Sequence, residues 1–143
     1  AADEVLRVCR SGGTIAVASW TPQGFIGQMF ATMKPYVAPP PAGAQPAPLW
    51  GSEDHVRELF GDRVADLVVE RRECVVDRFA SGAEFRDYFK ANYGPTIAAY
   101  RGLAESAERA VSLDTELADL GDRGLAPDGT MRWEYLLVTG HKR

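Results

Sequence analysis

With 143 residues, 45% of them hydrophobic and 25% charged, the chain has the length of one domain and the composition of a soluble globular protein, not of a disordered segment. Its formal charge of −4 argues against a nucleic-acid surface, because phosphate binding needs clustered Lys and Arg, and the basic pairs Arg71-Arg72 and Lys142-Arg143 stand alone. No apolar run approaches the length that crosses a bilayer, so no membrane partner is expected and a cytoplasmic location is the default.

The first residues, Ala1 to Trp20, read as the end of a helix, a glycine turn and a buried strand, as though the chain started mid-domain. Val5, Leu6 and Cys9 share one helical face, and Gly12-Gly13 supplies the left-handed positions that end a helix. The run Ile15-Ala16-Val17-Ala18 suits a parallel strand covered on both faces. Trp20 to Gly24 is a Pro/Gly loop, and Phe25, Ile26, Met29, Phe30 and Met33 recur at helical intervals, which predicts a helix over Phe25 to Lys34. The proline-rich stretch Ala38 to Pro48 is neither helix nor central strand, since each Pro lacks a donor and restrains its predecessor.

Ser52 is placed to cap a helix with Glu53 and Asp54 in its first turn and Val56, Leu59 and Phe60 on its apolar face, stopped by Gly61. Val64 to Phe79, rich in β-branched residues around Glu70-Arg71-Arg72-Glu73, predicts one long strand near a sheet edge. Ser81 and Glu84 have capping-box spacing, and the helix they open carries Phe85, Tyr88, Phe89 and Tyr93 on one side. Gly94-Pro95 breaks it and Thr96 is placed to cap the next helix, whose period runs from Ile97 to Val111 and on toward Leu120. After a glycine-rich loop, Met131, Trp133, Tyr135 and Leu137 alternate with polar residues, the pattern of a half-buried final strand.

Cys9 and Cys74 lack C-x-x-C spacing and read as buried free thiols. The carboxylate pairs Glu70/Glu73 and Asp114/Glu116 have no nearby His and no metal-loop pattern; they read as solvated faces or sheet-edge charges, and no metal is assigned. His55 and His141 read as surface residues.

The segment Glu4-Val5-Leu6-Arg7-Val8-Cys9-Arg10-Ser11-Gly12-Gly13-Thr14-Ile15 resembles the late "helix, L-K-P-G-G, strand" block of class I S-adenosylmethionine-dependent methyltransferases (the UbiE-like, type 11 superfamily), with Ser11 in place of the usual Pro. The resemblance covers essentially the whole chain but only the second half of that fold. It implies an α/β architecture, the C-terminal part of a Rossmann-like methyltransferase sheet: its last three strands, the final one antiparallel, with an inserted helical cover. The chain would then be a single partial domain over residues 1–143, with the helical insertion at 81–124. The glycine-rich turn after the first strand of that family and the acidic end of its second have no counterpart here. The resemblance thus implies a methyltransferase parent acting on a small, fairly apolar acceptor, while this chain alone would be inactive and would bind S-adenosylmethionine weakly or not at all.

In open α/β sheets ligands sit beyond the carboxyl ends of the parallel strands, which points to the loop after the first strand. The candidate substrate-binding residues are Trp20 and Thr21 there, Phe25 and Met29 on the next helix, Trp50 after the proline-rich stretch, and Tyr88, Asn92, Tyr93 and Thr96 around the Gly94-Pro95 break. Each also has a plainer reading as core or helix-corner packing. No catalytic residue is singled out, because transfer from a sulfonium needs alignment and exclusion of water more than a base. The rival reading is a stand-alone, non-enzymatic α+β binding or dimerisation module with a pocket among Trp20, Trp50 and Tyr93, pairing with a second copy through an exposed sheet edge.

Overall fold

A computed structural model describes residues 1–41 and 43–143; Ala42, within the proline-rich stretch, lies outside the described residues. Helix α1 (Ala2–Val8) leads through a turn with Gly12 at φ +71° into β1 (Thr14–Trp20). Then come α2 (Phe25–Met33), a 3-10 turn (Ala47–Gly51), α3 (Glu53–Phe60) and β2 (Val64–Val76). Three helices follow, α4 (Gly82–Asn92), α5 (Gly94–Gly102) and α6 (Ala107–Gly124), before the last strand β3 (Met131–Lys142).

The sheet has the order β1-β3-β2, and β3 is antiparallel to both neighbours, so β1 and β2 point the same way with the last strand between them. The two ladders pair Val17 with Val138 and Val138 with Val69, which sets the faces. One face carries Ile15, Val17, Leu136 and Val138 and packs on Ala2 and Leu6 of α1 and Val56 and Phe60 of α3, forming one apolar core. On the opposite face Ala16, Ala18 and Val68 are exposed and belong to neither core cluster. The second core lies at the other end of the sheet, where Met131 and Trp133 meet Phe79 and the inward residues of α2, α4, α5 and α6.

Several expectations change. The covered parallel strand expected at β1 is not what is seen: among the described residues it pairs with β3 alone, antiparallel, and Ala16 and Ala18 on one of its faces are exposed. Its small residues, Ala16 and Ala18, mark the open side. β2 lies at an edge as its charged centre suggests, with an irregular register between Ala65 and Val68 and Asp66 at φ +53°. Cys74 is exposed, on the sheet face away from the α1/α3 core, whereas Cys9 is half-buried. Ser52 has the extended backbone of a cap, yet its side chain makes no capping bond.

The capping box at Ser81 forms: Ser81 Oγ accepts from the amide of Glu84 at 3.2 Å, and Glu84 reaches back to the amide of Ala80 at 2.9 Å. Beyond it the expected single helix divides, because a turn at Leu103 to Ser106 redirects the chain so that α6 lies along α4. Thr96 does not cap. Tyr93 holds that position, Pro95 sits in the first turn of α5, and Thr96 is fully buried, its hydroxyl 3.5 Å from Met33 Sδ.

Asp114 is no solvated carboxylate either. Its Oδ1 accepts from Lys90 Nζ at 2.8 Å and Tyr100 Oη at 2.6 Å, tying α4 and α5 to α6. Partial burial works to raise its pKa, but the two hydrogen bonds and the Lys90 charge outweigh it and hold the carboxyl below its ordinary value. Burial, then the bond to Asp114, pushes the Tyr100 phenol up, so Tyr100 stays protonated and donates. A depressed carboxylate stabilises the fold above its unfolded pKa, and the contribution is lost as pH falls through the folded value. Asp114→Asn is therefore expected to cost on the order of 1 kcal/mol at pH 7. The difference from wild type should close as the pH is lowered below about 4, the ordinary Asp range, which urea unfolding at stepped pH checks.

Candidate functional site

The loop after β1 is held from both sides. Thr21, fully buried, donates from Oγ1 to Glu134 Oε1 at 2.6 Å and accepts from the amide of Gly24 at 3.1 Å, while Arg71 Nη1 reaches the same Glu134 oxygen at 3.1 Å. This clamp ties the loop to β3 and fixes Trp20 at the end of β1. The Trp20 ring meets Trp133 edge-on at 5.9 Å and Tyr135 at 6.2 Å.

Trp20 walls two depressions. One is a pocket of about 200 Å³ lined by Trp20, Ile26, Tyr88, Phe89, Asn92, Tyr93 and Trp133, between the loop, α2 and the end of α4. The other is an open cleft of about 670 Å³ across the sheet, lined by Ala18, Ser19, Trp20, Glu73, Cys74 and Tyr135. The small pocket is a box of rings: Phe89 stands edge-on to Trp133 at 5.9 Å and to Tyr93 at 5.3 Å, and Tyr88 edge-on to Phe89 at 5.8 Å.

Its polar equipment is sparse. Asn92 donates from Nδ2 to the carbonyl of Tyr88 at 2.9 Å, which fixes the amide at the mouth. Burial raises the pKa of the Tyr93 phenol, so it stays neutral and is a donor, not a base, near pH 7. Trp133 Nε1 is buried without a hydrogen-bond partner, the only such side-chain atom among the described residues. Outside the lining, the Arg78 guanidinium lies 4.4 Å from the centroid of the Tyr88 ring.

Of the nine residues singled out in the sequence, four line this pocket: Trp20, Tyr88, Asn92 and Tyr93. Thr21 lies beneath it as the loop clamp. Phe25 and Met29 are buried in the core, Phe25 stacked on Trp133 at 6.1 Å, and Thr96 packs against Met33. Trp50 belongs to the other core, 6.2 Å from Phe60, far from Tyr93 in the packing. Ile26, Phe89 and Trp133 complete the box without having been singled out. Their periodic or alternating placement gave the signal of core packing, and it is the packing of Phe89 of α4 against Trp133 of β3 that brings them together at the pocket.

No family model matches the chain. Two proteins of Mycobacterium tuberculosis, the uncharacterized proteins Rv1403c and Rv1405c, are each 49% identical to it, over 141 and 143 residues. An uncharacterized protein of Mycobacterium bovis, Mb1438c, matches at the same level over 141 residues. These alignments take in 99–100% of this chain but 51–52% of the relatives, so the chain spans about half the length of the curated relatives it matches.

Proposed function

We propose that the chain is the C-terminal half of a class I S-adenosylmethionine-dependent methyltransferase domain. In this reading it supplies the acceptor pocket, while the rest of a longer polypeptide holds the cofactor. The observation that carries the reading is the sheet. Its last strand runs antiparallel between two strands of common direction, and among the described residues β1 has no partner on its other edge and exposes small residues on one face. A half-length chain with an unfinished sheet, similar to relatives about twice as long, accords with a Rossmann-like sheet whose earlier strands lie outside it.

This chain does not by itself fit the cofactor. A nucleoside cradle needs glycines whose missing side chains leave room for a ligand to approach the backbone. The glycine of the turn between β1 and α2, Gly24, is filled by Thr21 and Glu134, and Gly27 by the Pro22 carbonyl, while glycines with open space such as Gly12, Gly61 and Gly129 precede strands and do not lie in a strand-to-helix turn. What the chain contributes is a fixed loop, a water-poor aromatic wall and neutral Tyr and Trp donors. None of these takes a proton from the acceptor, so any base comes from outside this pocket.

The test is calorimetric titration of S-adenosylmethionine into the 143-residue chain and into the polypeptide extended to the relatives' length. No saturable binding to the former and micromolar binding to the latter is the expected pair. Failure of the extended polypeptide to bind would overturn the reading. The rival, a stand-alone binding module that dimerises through β1, draws on the aromatic pocket that Trp20, Tyr88, Asn92 and Tyr93 help to line. A stable monomer or dimer on size-exclusion chromatography, with cooperative unfolding and an unchanged pocket affinity in the longer polypeptide, would favour it. A cytoplasmic setting belongs to the methyltransferase reading; among the described residues no helix is long and apolar enough to cross a membrane.

A further inference from the structure

We infer that the aromatic pocket takes a small aromatic carboxylate, its ring among the pocket's own rings and its carboxylate at the mouth beside Arg78. This rests on the pocket being the acceptor site and narrows what the acceptor is.

The pocket has a floor and a mouth. Among its lining residues Ile26 and Phe89 are buried, whereas Tyr88 and Asn92 are exposed and mark where it opens. An apolar cavity of about 150 Å³ holds one benzene ring, so about 200 Å³ admits a single six-membered ring and leaves its substituent at the opening. The planes of Trp20 and Phe89 stand at 84° and 69° to that of Trp133. Walls set at such angles suit a flat guest, which can stack on one ring while meeting another edge-on.

The guest's charge belongs at the mouth. None of the seven lining residues is charged, so an ion sunk to the floor would lose its hydration with nothing to replace it. At the mouth it keeps part of its water and meets a fixed cation. The Arg78 guanidinium lies 4.4 Å from the centroid of the exposed Tyr88 ring. The next residue, Phe79, is buried with its ring 5.5 Å from that of Tyr88, which anchors the chain at this point.

Among the described residues Arg78 forms no ion pair, and the carboxylates around it are committed elsewhere or solvated. Glu84 accepts from the amide of Ala80 at 2.9 Å, Asp87 pairs with Arg86 at 2.9 Å, and Glu73 pairs with Arg132 at 3.1 Å. Asp77 is exposed and does not pair with its neighbour. A guanidinium without a partner fits a carboxylate through two parallel hydrogen bonds. The same charge repels an ammonium group, which the ring faces alone would attract.

Three ring-sized probes test this: benzoate, benzamide and benzylammonium. Each is titrated against tryptophan fluorescence in the 143-residue chain and in the polypeptide extended to the relatives' length, with near-ultraviolet circular dichroism to monitor the fold. Benzoate is expected to bind saturably and roughly five- to tenfold more tightly than benzamide, its neutral counterpart, the effect of one partly exposed ion pair. Benzylammonium should bind least. The preference for benzoate should fade as salt rises from about 0.01 M to about 1 M and the Debye length falls from about 30 Å to about 3 Å. Arg78→Gln, at an exposed position, should bring benzoate down to benzamide and leave benzamide unchanged, whereas Asn92→Trp on the exposed rim should block all three. Benzoate binding no tighter than benzamide, a preference that survives Arg78→Gln, benzylammonium binding as tight as benzoate, or no benzoate binding to a folded chain overturns the inference. The cofactor titration above is independent. Cofactor binding by the longer polypeptide without benzoate binding sinks only this inference, and the reverse result sinks only the methyltransferase reading.

Discussion

Phe85→Ala is expected to lower the unfolding free energy by about 3–5 kcal/mol, the range for emptying a buried aromatic site. Phe85 is fully buried at the centre of the helical core. Its ring lies 4.5 Å from Phe89, 5.1 Å from Phe25, 5.6 Å from Phe79 and 6.4 Å from Trp133, so α2, the segment between β2 and α4, and β3 all lean on this ring of α4. These neighbours are themselves wedged between helices and cannot collapse into the space without moving the backbone, which puts the cost in the upper part of the range. Domains of this size have about 5–15 kcal/mol in all, so the variant should unfold at a much lower urea midpoint. Because Phe89 and Trp133 are also walls of the aromatic pocket, its shape should be disturbed alongside. A midpoint within experimental error of wild type would show that the helical layer does not depend on this ring.

Gly82→Ala should be the next most damaging change, by about 1–3 kcal/mol or more. The first residue of α4 meets α6 where Gly121 faces it, glycine against glycine. A methyl group on Gly82 would run into the Ala118 carbonyl and the Asp122 amide, which are helix backbone and cannot rotate aside. Displacement would also strain the bond from the Gly82 amide to Asp122 Oδ1, 2.6 Å long. Gly102 offers the control. Nothing lies within reach of an added methyl there, and Gly102→Ala is expected to be neutral or to stabilise by about 0.4–1 kcal/mol through the unfolded chain. Thermal unfolding of the two variants side by side separates the effect of the crossing from that of glycine itself; equal midpoints would refute it.

What could be read from the residues in order was local. The period of Phe25, Ile26, Met29 and Met33 marks α2, the Ser81/Glu84 pair marks the start of α4, and the alternation from Met131 to Leu137 marks β3, all of them patterns contained in a dozen residues. Pairing is not contained in such a window. Whether Ile15 to Ala18 is a central or an edge strand depends on residues more than a hundred positions away, and a run of small apolar side chains looks the same in either place. The same limit explains Cys74 and Trp50, whose exposure and neighbours are decided by sheet register and by the return of α3. Half of the pocket was legible because Trp20 follows a strand and Tyr88, Asn92 and Tyr93 precede a Gly-Pro break. Its other wall, Phe89 and Trp133, carries the same pattern as ordinary core. The turn between α5 and α6 escaped because Ala104, Ala107 and Ala110 continue a helical period straight across it.

The middle strand of this sheet is also the last to be synthesised. Trp20 finds its partner Tyr135, and Val64 its partner Lys142, only after the ribosome has made β3. At about 5–20 residues per second, β1 waits on the order of ten seconds with its backbone donors unanswered. During that interval the α4–α6 layer can form by contacts close in sequence, whereas both ladders wait for the 12 residues of β3. A nascent chain stalled before Met131 would therefore present helices without a sheet, and a nonsense codon anywhere in β3 should yield a product that chaperones hold and proteases remove.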